Sequence, residues 1–376
     1  MTSTSIYLIA GEVSGDTHGA ELMHALNERI PGVELHGTGG PDMHAASPNV
    51  RDWVEDAAVM GIWEVLKQYK WFKQQFDAML DEILALKPTA LVLIDYPGFN
   101  LRMAKAVREK LPQTKIIYYI SPQVWAWNKG RIPKMADILD QMICIFPFEK
   151  DIFQNAGLPT DFVGHPIVDE LAEKKSTIPR DPKLVGLFPG SREREVARLF
   201  PVMIEAARRL SIEHPSLRFQ APAASKKLAL KMRSLISKSK VSSDLIEIST
   251  GDSHALMQKA SCGVIASGTA TLEAAYFGLP YCLMYRIAWP TYFIGKMLVK
   301  VDYIGLVNIL AGKQVVEEFI QGDADPCHVQ HALDRFLADD KHRNSVKAEL
   351  AETASKLGEP GCHLRAADSI AKVLAL

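Results

Sequence analysis

Four stretches of the chain place chemically useful side chains directly after a short apolar run. In ALVLIDYPGFN, Ala90 to Asn100, the run delivers Asp95 to the carboxyl end of what should be a central strand. Desolvation of a carboxylate there raises its pKa towards the range of a general base, the alternative being an Asp that caps the next helix. In GVIASGTATLEAAYFGLP, Gly263 to Pro280, the residues Ser267, Gly268 and Thr269 reach the first turn of a helix. Unpaired N–H groups and small hydroxyls suit an anion there, and Glu273, one turn on, can accept both hydroxyls of a ribose. The alternative is a capped, Ala-rich core helix. In LFPGSREREV, Leu187 to Val196, a Pro-Gly turn leads into Ser191 and Arg192 at a helix start, where dipole and guanidinium would both act on a diphosphate. A Ser N-cap followed by a solvated charge run explains Ser191 but not that turn, and the two segments together favour a nucleotide diphosphate. The fourth stretch, GEVSGDTHGAEL from Gly11 to Leu22, matches neither the P-loop nor the dinucleotide fingerprint. Glu12 and Asp16 oppose a pyrophosphate and favour hydroxyl or amine contacts, with Ser14 or Asp16 as a plain N-cap weighed equally.

Other polar features carry less. ISPQVWAWNKGR, Ile120 to Arg131, holds two Trp that must pack on something, with core the default and a ligand or lipid wall the sharper idea. Asp323-Ala324-Asp325 is the only D-x-D and reads as a helix-entry turn. The eleven His show no paired ligand spacing, so neither a metal nor another cofactor is expected. His165 in VGHP is read as structural.

The elements that must hold these residues are βα units. Short β-branched or aromatic runs near residues 6–10, 34–37, 90–95, 115–120, 142–146 and 162–164 alternate with helical periods, and a second set lies near 184–189, 218–221, 245–248, 263–266 and 281–285. The expected fold class is α/β: two Rossmann-like doubly wound domains facing a central cleft, with ligands beyond the carboxyl ends of the strands. Residues 1–171 form the first domain and AEKKSTIPRDPK, 172–183, an exposed linker. Residues 184–345 form the second domain, and after Val315 the pattern turns helical. Helices in 346–376 complete the chain and can return to the first domain.

Composition agrees with a soluble globular chain. Forty-three Lys plus Arg against forty-four Asp plus Glu leave a formal charge of −1, so no global basic field holds nucleic acid. No uncharged run is long enough to span a bilayer, the N-terminus has no signal-peptide pattern, and the scattered Cys144, Cys262, Cys282, Cys327 and Cys362 read as small core residues of a reduced, cytosolic protein. Two segments are more amphipathic than a soluble surface needs. On a helical wheel Trp63, Lys67, Lys70 and Trp71 gather opposite a core stripe, as do Trp289, Phe293 and Lys296 in the second domain. Trp with Lys on an outer face suits a lipid headgroup boundary. Each segment alone also suits a second core face or a contact within a homodimer.

The segments AGEVSGDTHGA, GTGGPDM, AVMGIWEVL, LIDYPGFN, YYISPQVWAW, FPFEK, FVGHP, FPGSREREV, ASGTATLEA, MYR and VDYIGLVNILAG together resemble the lipid-A-disaccharide synthases, in family order from Gly11 to Gly312. The resemblance implies a GT-B fold, metal-independent glycosyltransferase. It would move 2,3-diacylglucosamine from UDP-2,3-diacylglucosamine to the 6-hydroxyl of 2,3-diacylglucosamine 1-phosphate, with inversion. It also implies a peripheral position on the cytoplasmic face of the inner-membrane lipid surface. Asp95 would be the base, Arg192 with Ser267 to Thr269 would stabilise departing UDP, and Glu273 would hold the ribose. Asn308 would line the nucleotide side, and Glu12, Ser14 and Asp16 would position the acceptor. Tyr96 and Gly98 depart from the more acidic I-D-x-P-D-F-N form, which leaves Asp95 as the sole carboxylate there. The rivals are a GT-B UDP-sugar 2-epimerase and the N-acetylglucosaminyltransferase of peptidoglycan precursor synthesis. The first acts on soluble substrate and has no use for outer Trp residues. The second has a different glycine-rich first turn.

Overall fold

In a computed structural model, which describes residues 4–54, 69–239, 241–289, 292 and 302–376, the apolar runs form two parallel sheets. The chain divides into two units, Met1–Asp169 with Gly358–Leu376 and Glu170–Leu357.

Unit 1 contains β1 (Ser5–Ala10), α1 (Val13–Arg29), β2 (Glu34–Gly39), α2 (Pro41–Ala46), β3 (Val50–Asp52), α3 (Tyr69–Leu86), β4 (Ala90–Ile94), α4 (Pro97–Lys110) and β5 (Lys115–Tyr119). It continues through α5 (Val124–Trp127), α6 (Arg131–Ile138), β6 (Gln141–Cys144), α7 (Pro147–Gln154) and β7 (Thr160–Phe162). The strand order is β3-β2-β1-β4-β5-β6-β7, so the direction of winding reverses between β1 and β4. β4 is buried along its whole length, as a strand covered by helices on both faces must be. A reversal point opens a crevice at the strands' carboxyl ends, and the Gly11 turn and Asp95 lie on either side of it.

α8 (Ile167–Glu173) leads into unit 2, which holds β8 (Asp181–Phe188), α9 (Glu193–Glu213), β9 (Arg218–Ala223), α10 (Lys226–Lys238), β10 (Ile246–Thr250), α11 (Ser253–Lys259) and β11 (Ala260–Ala266). Then come α12 (Ala270–Tyr276), β12 (Tyr281–Tyr285), α13 (Leu306–Ala311), β13 (Glu318–Ile320), α14 (Pro326–Ala338) and α15 (Asp340–Ser355). The order β10-β9-β8-β11-β12-β13 reverses between β8 and β11, the two strands that end in FPGSR and ASGT.

Several boundaries differ from those expected. Asp181 to Lys183 belong to β8 rather than to a linker, because Arg180 anchors this end of the segment. Its guanidinium donates to the carbonyls of Met257 (2.7 Å) and Ala260 (2.6 Å). Residues 318–320 form an edge strand where a helical pattern was expected. The C-terminal return starts at Gly358 and not at 346, since α15 packs on α12 and α14 within unit 2. Only α16 (Cys362–Val373) joins unit 1, against α1. Asp169 accepts the N–H of Cys362 at 3.2 Å, Arg365 donates to Val163 O at 2.8 Å, and Arg29 pairs with Asp368 at 2.9 Å. Four cysteines are buried and Cys327 is exposed, because it occupies the first turn of α14, outside the core.

Candidate active site

Asp95 sits where β4 stops. Asp95 and Tyr96 both adopt left-handed backbone, φ 44° and 49°, a conformation that costs a non-glycine residue about 1 kcal/mol or more. The surroundings enforce it. Asp95 N–H donates to Tyr119 O (3.0 Å), while Asn100 Nδ2 donates to the carbonyls of Ile94 (3.1 Å) and Asp95 (2.8 Å). The Tyr118 hydroxyl also donates to the Asp95 carbonyl. The consequence is a fixed backbone with the carboxylate left free of the ladder.

Burial raises the Asp95 carboxyl to about 6, with the nearby Glu12 charge adding to the rise and the Tyr96 N–H opposing it. Near neutral pH this group is an ionised carboxylate of unusually high basicity. Because the folded state binds this proton more tightly than the unfolded chain, ionisation costs stability, and the cost grows as pH rises from 3.8 through about 6. Asp95→Asn is therefore expected to stabilise unit 1 by about 3 kcal/mol at pH 8. The gain should vanish below pH ~4, as read from urea denaturation at the two pH values.

The walls of this corner are aromatic. A Cβ on Gly11 would lie 2.3 Å from Tyr96 Cδ1, so the first turn is glycine because the Tyr96 ring lies over it. Trp53 donates its indole N–H to Ala10 O (2.7 Å) and packs on Phe99 with ring centroids 5.1 Å apart. Trp71 stacks on Trp53 at 6.0 Å. Trp71 is half-buried, with part of its ring spent on Trp53 rather than on the outer face expected for it. Lys70 is exposed, while Trp63, Lys67, Phe293 and Lys296 lie outside the described residues. Trp289 is 55% exposed and meets Tyr292 edge-on. No described helix is long and apolar enough to cross a membrane.

The acceptor assignment divides. Glu12 and Ser14 are exposed on the turn, but Asp16 is buried and committed. Its Oδ1 accepts from Gly40 N (2.7 Å) and Met43 N (3.0 Å), and its Oδ2 from Asp42 N (3.0 Å). It caps α2, so it does not position a sugar. The two Trp of the β5 loop also divide: Trp125 is core and donates to buried Glu149 (3.0 Å), whereas Trp127 is 43% exposed beneath the Arg131 guanidinium. His165 is buried and its Nδ1 accepts from Ile167 N (3.1 Å), a backbone role.

In unit 2 the turns after β8 and β11 build one pocket of about 440 Å³, lined by Ser191, Arg192, Ser267, Gly268, Thr269 and Glu273 among others. Gly190 has φ 100°, and Glu195 folds back over it to accept from Arg192 Nη1 (2.9 Å), leaving the Arg192 side chain 82% exposed. The turn after β10 supplies a third wall through Gly251 and Ser253. That turn also brings His254, whose Nε2 lies 3.0 Å from Glu273 Oε2. Burial pushes the Glu273 carboxyl up, and His254 counters it. His254 was not among the expected residues, although its strand, Gly-Asp-Ser turn and helix repeat the pattern of the other walls.

Asn308 does not join them. Its side chain is fully buried, with Oδ1 accepting from Val315 N (2.7 Å) and Val316 N (3.0 Å) and Nδ2 donating to Val316 O and Glu318 Oε1 (both 2.8 Å). It ties α13 to the segment that enters β13, its amide accepting from two N–H groups and donating to a carbonyl and a carboxylate. Asn308→Ala is expected to cost about 3 kcal/mol in urea denaturation, through the buried groups left unpaired.

Among the described residues two sets of side chains have ligand atoms close enough to share a metal, Asp169 with Cys362 and His363, and Glu213 with His214 and Asp334. Neither set contains Asp95 or a residue of the pocket. Both are engaged in ties between elements, as in the 2.7 Å contact of His214 with Asp334.

Comparison with known proteins joins these observations. Residues 6–372 match a family model described as lipid-A-disaccharide synthetase. The chain is 37% identical to the lipid-A-disaccharide synthase of Geobacter sulfurreducens, over 99% of this chain and 98% of that protein. It is 36% identical to lipid-A-disaccharide synthase 1 of Legionella pneumophila strain Paris, over 94% of each. Among solved structures it is similar to a putative UDP-N-acetylglucosamine 2-epimerase from Listeria monocytogenes, with TM-score 0.66, 12% identity and coverage of 99% and 96%. It also resembles Medicago truncatula UGT71G1 complexed with UDP-glucose, with TM-score 0.57, 12% identity and coverage of 100% and 99%. Identity that low speaks for the fold alone, here the GT-B type. With two doubly wound parallel sheets and a family match along nearly the whole chain, the protein belongs to the lipid-A-disaccharide synthase family of lipid A disaccharide-forming glycosyltransferases.

Proposed function

We propose that the chain transfers 2,3-diacylglucosamine from UDP-2,3-diacylglucosamine to the 6-hydroxyl of 2,3-diacylglucosamine 1-phosphate, with inversion and without a metal, forming a β-1,6 disaccharide and UDP. The observation that carries this reading is the pocket of unit 2, where residues from separate turns, expected to hold UDP, line one space of suitable size. In this reaction Asp95 takes the acceptor hydroxyl proton as its oxygen attacks the anomeric carbon. The bond from that carbon to the diphosphate breaks in the same displacement. Arg192 exchanges Glu195 for the departing diphosphate, and the backbone and hydroxyls of Ser267 to Thr269 hold its oxygens. Glu273 accepts the ribose hydroxyls, and Glu12 and Ser14 contact the acceptor sugar.

The enzyme works from the inner-membrane surface in this scheme, since both substrates are acylated. Lys70, the half-buried Trp71 and Trp289 are the described residues assigned to that contact. The test is UDP release measured with and without the acylated monosaccharide phosphate. Release that depends on the acceptor and is unchanged by EDTA is the expected result. Release or sugar interconversion without acceptor favours an epimerase and overturns the proposal.

A further inference from the structure

We infer that His254 is a positioning residue for Glu273, fixing the rotamer in which that carboxylate can take the two hydroxyls of a ribose. The inference rests on the nucleotide reading above. Glu273 lies on α12, with its carboxylate in the pocket wall and largely withdrawn from water. A free glutamate there has three side-chain torsions to settle and a burial penalty to bear. His254, on α11, addresses only one of the two oxygens: its Nε2 contacts Oε2 at 3.0 Å. The carboxylate therefore keeps acceptor capacity for a ligand while its direction is set.

The histidine is itself held. Its ring packs against Phe277, centroids 5.6 Å apart, at the end of the helix that carries Glu273. Its carbonyl accepts from Gln258 Nε2 (3.3 Å), and that amide also binds the segment after α8, donating to Lys174 O (3.0 Å) and accepting from Ser176 N (2.6 Å). Glu170 and Lys174 are the other charges that bear on Glu273, with opposite signs. The nearest neutral substitute for an imidazole Nε2 donor is the amide of Gln.

The test compares binding of UDP with that of 2′,3′-dideoxy-UDP by calorimetry, in the full chain and in three variants. The wild type should bind UDP roughly tenfold or more tightly than the dideoxy analogue, the value of a hydrogen bond to a charged acceptor. Glu273→Gln should shrink that ratio. His254→Ala should shrink it nearly as far while binding the dideoxy analogue as the wild type does, and His254→Gln should restore most of it. Equal loss for both nucleotides in His254→Ala, or an unchanged ratio, overturns the positioning role and leaves the nucleotide reading intact. A wild type that binds neither nucleotide, or does not distinguish them, overturns the ribose assignment itself.

Discussion

Asp95→Asn is expected to lower kcat by about 10²–10⁴-fold while leaving the affinity for UDP unchanged. The amide is nearly isosteric and keeps the bonds that hold the left-handed turn, none of which uses the side chain of residue 95. What it loses is the proton acceptor. In the wild type the same group should shape the pH dependence: kcat/KM rises as Asp95 ionises through about 6 and is flat above it, so long as no other group titrates. The combination of a large rate loss with raised stability at pH 8 separates a catalytic carboxylate from a structural one, whose removal costs both. A variant with ordinary turnover, or an acid limb near pH 4, contradicts the assignment.

Arg192→Ala carries the second large effect, about 10²–10³-fold in kcat with a smaller change in KM for the UDP-sugar. The guanidinium is solvated in the present structure and rests on Glu195, so it contributes little to folding. Its worth lies in meeting charge that develops as UDP leaves, and Lys should replace it poorly because the planar fork is lost. A change confined to KM would make Arg192 a ground-state contact only.

The sheets were legible because buried parallel strands are short, continuous apolar runs, and the ends of β1, β4, β8, β10 and β11 are marked by turns bearing Gly, Ser or Asp. The three-residue edge strands Val50–Asp52 and Glu318–Ile320 were not legible, since a half-exposed edge leaves no such run. Asp95, Arg192 and Glu273 were singled out from their place after strands. Asp16 and Asn308 sit in equally suggestive segments, yet their polar atoms are consumed by the chain itself, and only the fold reveals whether a carboxylate faces a ligand or a helix N-terminus. His254 illustrates the converse: its partner lies 19 residues away on another helix, a relation that periodicity does not encode.

A crystal structure of the full chain soaked with UDP addresses the central assignment most directly. The diphosphate should lie against Ser267 to Thr269 with Arg192 turned from Glu195 towards it, and the ribose should sit on Glu273. Density for the nucleotide in any other place, with the pocket of unit 2 vacant, would contradict the account.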